Sequence, residues 1–338
     1  MLSPLDLRQR LDRALPRVGL ARLPTPLQAA ERLGRRLGLD LAVKREDESG
    51  LGLGGNKARQ IEVILGRLLA EGVRTVLTTA GAQSNFCRAM AAACARHGLR
   101  CILLLRGDGS ADPVGNLLLD RLFGAEVHWI ATTDPYDPAV LERLQGLARD
   151  AGEGARIVQL PGETGALAAA AAIGLAVELA GQWQAPPAAV YLAAGSGLTA
   201  AGTALGLEAM GAPTRVVAVS VQQPAGFIEP LMRRRAREAA RLIGLDLGLA
   251  DDRLVVDDGF IGPGYGVASP ASLDAVTTAA RDEALVLDPV YTGKAMAALI
   301  AHAISGQLAG GVVFVHSGGG AAFFAHAAAM AAHLDGCR

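Results

Sequence analysis

Short apolar runs alternate with alanine-rich amphipathic stretches along most of the chain, and that alternation limits the fold more than any other feature. Strands are expected at 40–45, 75–79, 100–105, 126–130, 156–159, 188–193, 215–221 and 311–316. Helical spacing fills the gaps at 57–71, 85–97, 115–123, 138–151, 165–181, 199–210, 227–243, 272–283 and 293–303. Strands separated by helices read as parallel α/β sheets with right-handed crossovers. Alanine strengthens the helical reading because it loses least on entering a helix. The 338 residues leave room for roughly two domains. Residues 57–159 read as one βα layer and those after Gly165 as a second. The proline-punctuated Leu23-Pro24-Thr25-Pro26-Leu27 suits an extended segment.

Charge excludes the simplest nucleic-acid reading. Thirty-two Lys and Arg face 33 Asp and Glu, a net of −1, so no basic excess is available to neutralise phosphates. The first residues, with Asp6, Arg8, Arg10 and Asp12, contain no apolar signal-peptide core. Residues 295–334 carry no Asp, Glu, Lys or Arg. Ser305, Gly306, Gly310, Gly311 and Gly318-Gly319-Gly320 interrupt them, and no apolar run of roughly 18 residues survives. A buried strand with flanking core helices is expected there, and no membrane span. Cys87, Cys94, Cys101 and Cys337 form no C-x-x-C pair, which fits buried free thiols and a cytoplasmic protein and gives no metal site. The run Arg233-Arg234-Arg235 with Arg237 and Arg241 reads as a solvated helix face.

Only three of the 32 basic residues are lysines: Lys44, Lys57 and Lys294. Arginine cannot act as an amine nucleophile and lysine can, so each of the three is a candidate. Lys57 ends Gly52-Leu53-Gly54-Gly55-Asn56-Lys57 and opens a helix. The pattern is not a nucleotide P-loop, because Ala58 stands where Ser or Thr is needed. A glycine turn with a solvated lysine explains it equally well. Gly195-Ser196-Gly197-Leu198-Thr199 follows an apolar strand and offers backbone N–H groups and a helix N-terminus to a phosphate. A dinucleotide site would need an acidic residue at the end of the next strand, and Ser220-Val221-Gln222-Gln223 has none. Ser84 in Gly81-Ala82-Gln83-Ser84-Asn85-Phe86 is either a helix N-cap or part of an anion cradle. Two of the four tyrosines, Tyr265 and Tyr291, stand in glycine- and proline-rich segments.

Taken in order, these segments resemble the fold-type II pyridoxal-phosphate enzymes, in the branch holding D-cysteine desulfhydrase, 1-aminocyclopropane-1-carboxylate deaminase and L-cysteate sulfo-lyase. The resemblance runs over about residues 20–330. It is carried by Lys44-Arg45-Glu46-Asp47, Gly54-Gly55-Asn56-Lys57, Gln83-Ser84-Asn85, Gly115-Asn116, Gly124-Ala125-Glu126, Gly195-Ser196-Gly197, Gly262-Pro263-Gly264-Tyr265-Gly266, Asp288-Pro289-Val290-Tyr291-Thr292-Gly293-Lys294 and Ser317-Gly318-Gly319. It implies two open twisted parallel-sheet domains with helices on both faces. Residues 1–54 and 160–338 would form the larger, cofactor-binding domain and 55–159 the smaller one. It also implies pyridoxal 5'-phosphate as cofactor, a small amino acid as substrate and a homodimer.

Residue by residue, the resemblance makes Lys57 the Schiff-base lysine and proton carrier. Asn85 would contact the cofactor's phenolic oxygen, and Gly195, Ser196, Gly197, Leu198 and Thr199 its phosphate. Gln83 and Ser84 lie where the substrate carboxylate is held. Tyr265 and Tyr291 match tyrosines near the substrate, with Phe86 and Gly318 shaping its pocket. Thr292 stands where deaminase-like members place a glutamate against the pyridine nitrogen. A hydroxyl supports a protonated ring less than a carboxylate does. Thr292 therefore implies a β-elimination giving pyruvate and ammonia. Gln60, Phe86, Leu198 and Ala321 depart from the family pattern and bear on the substrate more than on the cofactor. The alternatives are another reaction on an unusual amino acid (deamination, β-replacement or racemisation), a nicotinamide oxidoreductase and a fold that binds without turnover.

Overall fold

A computed structural model describes residues 1–159 and 162–336. Cys337 and the expected domain division at residue 160 lie outside the described residues. Helix α1 (Pro4–Ala14) starts with a capping box: Ser3 accepts from the Asp6 N–H, and Asp6 accepts from the Ser3 N–H. Strand β1 (Leu27–Ala29), helix α2 (Glu31–Leu37), strand β2 (Leu39–Lys44) and a 3-10 turn (Glu46–Ser49) follow. Next come α3 (Lys57–Ala70), β3 (Thr75–Gly81), α4 (Asn85–His97), β4 (Arg100–Arg106), α5 (Gly115–Leu122), β5 (Glu126–Ile130), α6 (Pro138–Ala151) and β6 (Ala155–Ile157). The remainder is α7 (Glu163–Gln182), β7 (Ala189–Ala194), α8 (Leu198–Met210), β8 (Arg215–Ser220), α9 (Ala225–Leu242) and β9 (Leu254–Asp257). It closes with α10 (Pro270–Glu283), α11 (Thr292–Ile304), β10 (Gly310–Val315), α12 (Gly320–Phe324) and α13 (Ala327–Gly336).

Two sheets result. One has six strands in the order β1-β2-β10-β7-β8-β9, the other four in the order β5-β4-β3-β6. Every described pairing is parallel except β1 against β2, where Leu27 faces Lys44. That antiparallel edge departs from the all-parallel expectation. β1 closes back beside β2 through the short connection over α2, too brief for a parallel crossover. In the six-stranded sheet β10 lies between β2 and β7, with Val315 opposite Lys44 and Val312 opposite Ala189. The first residues and the last strand therefore share one sheet.

The strand and helix positions differ from the sequence expectation mainly at the periphery. β1 and β9 are only three and four residues long, too short to show a periodicity. α13 was expected to belong to the core, yet Met330 is its only buried residue among those described. Alanine scores as apolar but has little surface to bury, so an alanine-rich helix can lie at the surface at small cost. The arginine run on α9 is less solvated than expected. Arg233 donates to the carbonyls of Leu249, Ala250, Asp251 and Leu254, and Arg235 pairs with Glu238 and the Gly162 carbonyl. The Arg233 bonds fasten the connection before β9. Helix α7 is long and apolar enough to cross a membrane, but 83% of its apolar window is buried inside the protein, packed on α3, α8 and α9.

An ion cluster lies where β2, α3 and α7 meet. Arg59 bonds Glu46 and Glu178 at 2.7 Å each, and Lys44 bonds Glu178 at 2.8 Å. The Lys44 ammonium also donates to the Thr25 carbonyl and to Gln182. Two buried cations and two buried carboxylates thus oppose one another, with the partly exposed Arg8 a further cation 3.9 Å from Glu178.

Candidate active site

Loops that bind ligands in parallel α/β sheets lie at the C-terminal ends of the strands. Three of the motifs stand there: residues 82–84 after β3, 195–197 after β7 and 317–319 after β10. The last of these meets the turn before Lys57. The Asn56 N–H donates to the Ser317 carbonyl at 3.0 Å, and a Cβ on Gly318 would stand 2.7 Å from the Gly55 Cα. Gly318 also has φ +106, so only glycine lets these two backbones touch without strain.

Lys57 is the first residue of α3 and is partly exposed, with its amine desolvated. Burial pulls that amine down to about 8, and no charged neighbour opposes the shift. The amine has no hydrogen-bond or ion-pair partner among the described residues. A substantial neutral fraction at neutral to mildly alkaline pH is what nucleophilic amine chemistry requires. Lys44 and Lys294 differ: both are fully buried and hydrogen-bonded.

The Gly195–Gly197 turn ends in α8, whose N-cap Gly197 has φ +73 and no side-chain cap. The first N–H groups of α8, including those of Leu198 and Thr199, are thus left for an anion. The Thr199 hydroxyl accepts from Asn56 Nδ2 at 2.8 Å and from Gln60 Nε2 at 3.0 Å, which leaves its hydrogen to donate. Asn56 therefore links the lysine's turn to this loop. Gln60, which replaces a lysine common in the family, is buried, and its Oε1 has no partner.

Ser84 caps α4, accepting from the Cys87 N–H at 3.2 Å, and its hydroxyl hydrogen remains free to donate. Asn85 Oδ1 accepts from Asn116 Nδ2 at 3.0 Å, which turns the Asn85 amide nitrogen outward as a donor. Asn116 is fully buried and also donates to the Gln83 carbonyl. Gln83 accepts from the Asn116 N–H and donates to the Val114 carbonyl, so its amide is engaged at both ends by the start of α5. Phe86, expected to shape the substrate pocket, is buried and belongs to the main apolar core. It follows Asn85 by one residue, and adjacent helix positions point different ways.

On the other side, the Tyr265 and Tyr291 hydroxyls lie 2.6 Å apart, with the rings edge to face. A Cβ on Gly195 would touch the Tyr291 ring at 3.1 Å, so the tyrosine pair borders the Gly195 turn. Burial raises both phenols, Tyr291 further, because the shared hydrogen bond raises Tyr291 and lowers Tyr265. Thr292 is buried and bound to Asp288: its hydroxyl donates to Asp288 Oδ2 at 2.9 Å and accepts the Asp288 N–H at 2.9 Å. Asp288 also accepts from the Val290 and Tyr291 N–H groups, which fixes the start of α11. A Cβ on Gly319 would run into the Asp288 carboxylate, so this start also abuts the loop after β10.

Asn56, Asn116 and Asp288 stand in the quoted motifs, but the sequence reading gave them no role. Their partners lie too far along the chain for spacing to reveal, apart from the local Asp288–Thr292 pair. Cys87, Cys94 and Cys101 are buried and free, and no cluster of metal-binding side chains occurs among the described residues.

Together these residues fit a phosphorylated aldehyde cofactor. They provide a desolvated amine, an uncapped glycine turn for a phosphate and an oriented amide donor at Asn85. Comparisons with known proteins agree. Residues 18–318 match the pyridoxal-phosphate dependent enzyme family. The chain is 37% identical over 330 residues to a D-cysteine desulfhydrase of Klebsiella pneumoniae (strain 342), covering 94% of this chain and 98% of that one. It is 36% identical over 327 residues to a D-cysteine desulfhydrase of Salmonella newport (strain SL254), covering 92% and 96%. A solved structure described as an ACC deaminase homologue superposes with a TM-score of 0.88 at 29% identity, covering 97% of this chain and 98% of that one. A threonine deaminase from Solanum lycopersicum shares the fold at TM-score 0.68 and 17% identity, covering 93% and 89%.

Proposed function

The chain belongs to the pyridoxal-phosphate-dependent enzymes, and from that premise we propose that it catalyses β-elimination on a small amino acid, with D-cysteine the first candidate. The observation that carries the proposal is Lys57, an unpartnered and desolvated amine beside an uncapped glycine turn. When bound, the cofactor supplies the electron sink that makes a substrate Cα proton removable. The protein's part is orientation and proton handling. Asn56 and Thr199 hold the Gly195 turn against the lysine's turn, and Asn85, fixed by Asn116, points an amide donor into the site. The Ser84 hydroxyl is available to a substrate carboxylate, and the free Lys57 amine is available to take the Cα proton.

In the overall reaction the Cα–H and Cβ–S bonds break and sulfide departs. The remaining aminoacrylate takes up water to give pyruvate and ammonia. Thr292 supports elimination over cyclopropane opening, because its hydroxyl is engaged by Asp288 and no carboxylate stands in its place. The solved ACC deaminase homologue keeps a second reading open, deamination of 1-aminocyclopropane-1-carboxylate. Assaying both substrates separates them: pyruvate from D-cysteine is expected, and turnover of the cyclopropane alone would overturn the elimination reading.

Protonation of Lys57 gives a pH test. Lys57 would hold the cofactor's aldehyde only through its neutral amine. Because the folded amine titrates at about 8, the rate at which apoenzyme takes up cofactor should climb with pH and level off above about 8. A plateau only near the usual lysine value of about 10.4 would mean that the amine is not desolvated.

We assign residues 1–54 and 160–338 to the cofactor-binding domain and 55–159 to the smaller one. Separation of the strands into two sheets supports this. The buried free thiols fit a cytoplasmic enzyme. A homodimer is supported by exposed apolar side chains at one place: Val114, Leu118 and Leu122 on or beside α5, and Phe324 on α12, which packs against α5. Light scattering should give twice the chain mass, and Leu122→Glu should shift it toward the monomer.

A further inference from the structure

Lys294 is the third of the chain's lysines and has no part in the chemistry above. It is fully buried in the first turn of α11, three residues after Tyr291, the N-cap of that helix. Its ammonium hydrogen-bonds two main-chain oxygens, donating to the Ile261 carbonyl at 2.7 Å and to the Gly264 carbonyl at 2.9 Å, with the Asp288 carboxylate near enough to act on its charge. Both belong to the loop between β9 and α10, which carries Tyr265.

That loop has little else to hold its tip. Gly262, Pro263, Tyr265, Gly266 and Val267 are all exposed. Its described internal backbone bonds, Ile261 N–H to Asp258 and Val267 N–H to Gly264, are long at 3.4 Å. The root is better secured. There the Gly259 N–H donates to Asp257, the Ala225 N–H donates to Asp258, and Phe260 packs edge to face on His302. Beyond Phe260 the described side-chain bonds to residues 261–267 come from Lys294 and from Tyr291 meeting Tyr265.

We propose that Lys294 is a positioning residue: its buried ammonium holds the carbonyls of Ile261 and Gly264 so that the Tyr265 hydroxyl is held against Tyr291. The N-cap and first turn of α11 then supply Tyr291 and the latch that brings Tyr265 to it. A lysine suits the task because its tetrahedral ammonium directs separate N–H groups to two carbonyls, and because its long stem crosses the core before reaching them.

The role in turnover rests on the elimination reading; the latch itself does not. The test combines a double-mutant cycle with amide exchange on the cofactor-loaded enzyme. Lys294→Met keeps the buried stem and removes the donors. It should speed exchange at residues 261–267 without speeding it in β10 or α8. It should also lower kcat/KM about a hundredfold in the wild-type background, the scale of a misplaced active-site group. In a Tyr265→Phe background the same change should cost less than about threefold, because the hydroxyl that Lys294 positions is already gone. Equal losses in the two backgrounds, or unchanged loop exchange, would overturn the proposal. Should Lys294→Met not fold, Lys294→Leu, which also lacks donors, is read in the same way. If the wild-type enzyme turns over no amino acid, the elimination reading fails, and loop exchange still decides the latch.

Discussion

Replacing Lys57 by alanine is expected to reduce pyruvate formation from D-cysteine by at least about 10⁴-fold, the scale of a lost proton-transfer group. Both of its assigned tasks disappear together. No other amine can substitute, since Lys44 is tied to Glu178, Gln182 and the Thr25 carbonyl, and Lys294 to the carbonyls of Ile261 and Gly264. Lys57→Arg should not restore the rate, because a guanidinium stays protonated and cannot attack an aldehyde. The fold should survive both changes, for the Lys57 amine makes no described hydrogen bond and its loss leaves no buried partner stranded. The variants should therefore unfold at nearly the wild-type temperature while lacking the absorption band of lysine-bound cofactor. A Lys57→Ala enzyme that kept its turnover would remove the basis for the assigned chemistry.

The second large effect is on stability. Glu178→Ala is expected to cost about 3–5 kcal/mol, the range for breaking a buried ion pair from one side. Glu178 accepts from Arg59 at 2.7 and 3.1 Å, from Lys44 at 2.8 Å and from the Thr25 N–H at 3.2 Å. Its loss would leave two buried cations facing the single carboxylate of Glu46. The cluster is uneven. Burial acts against the Glu178 carboxylate, but Arg59 and Lys44 outweigh it and hold its pKa below the usual value. For Lys44 burial outweighs Glu178, and its pKa falls.

The signs follow. Glu178 contributes stability that is fully present above the ordinary glutamate value of about 4.3 and is lost as pH falls through its lower folded value. Lys44 carries a penalty that is relieved only as pH rises through its lowered folded value toward that of free lysine. Denaturant titrations at neutral and acid pH should show a wild-type loss on the acid side that Glu178→Ala no longer shows. An unchanged midpoint in Glu178→Ala would mean that the cluster adds nothing to stability. Because Arg59 is two residues from Lys57 on α3, loosening the cluster should also disturb the Lys57 amine.

Much of this molecule is legible in one dimension. The βα alternation fixes parallel sheets because strand and helix periods differ and a parallel crossover needs a helix between strands. The glycine turns after β3, β7 and β10 are legible because tight turns at strand ends demand particular residues, and those residues sit next to each other in the chain. The scarcity of lysine left three candidates, and the motif around Lys57 singled it out. What spacing could not give were relations between distant segments. The position of β10 between β2 and β7 joins residues some 270 positions apart. Asn116 orients Asn85, and Asn56 reaches Thr199, across 31 and 143 residues. Phe86 stands beside Asn85 in sequence, and only the fold shows that its ring is buried with the main apolar core. Lys294 and Lys44 looked alike in sequence; one latches a loop and the other balances a carboxylate, because a buried ammonium takes its role from the oxygens that the fold places around it.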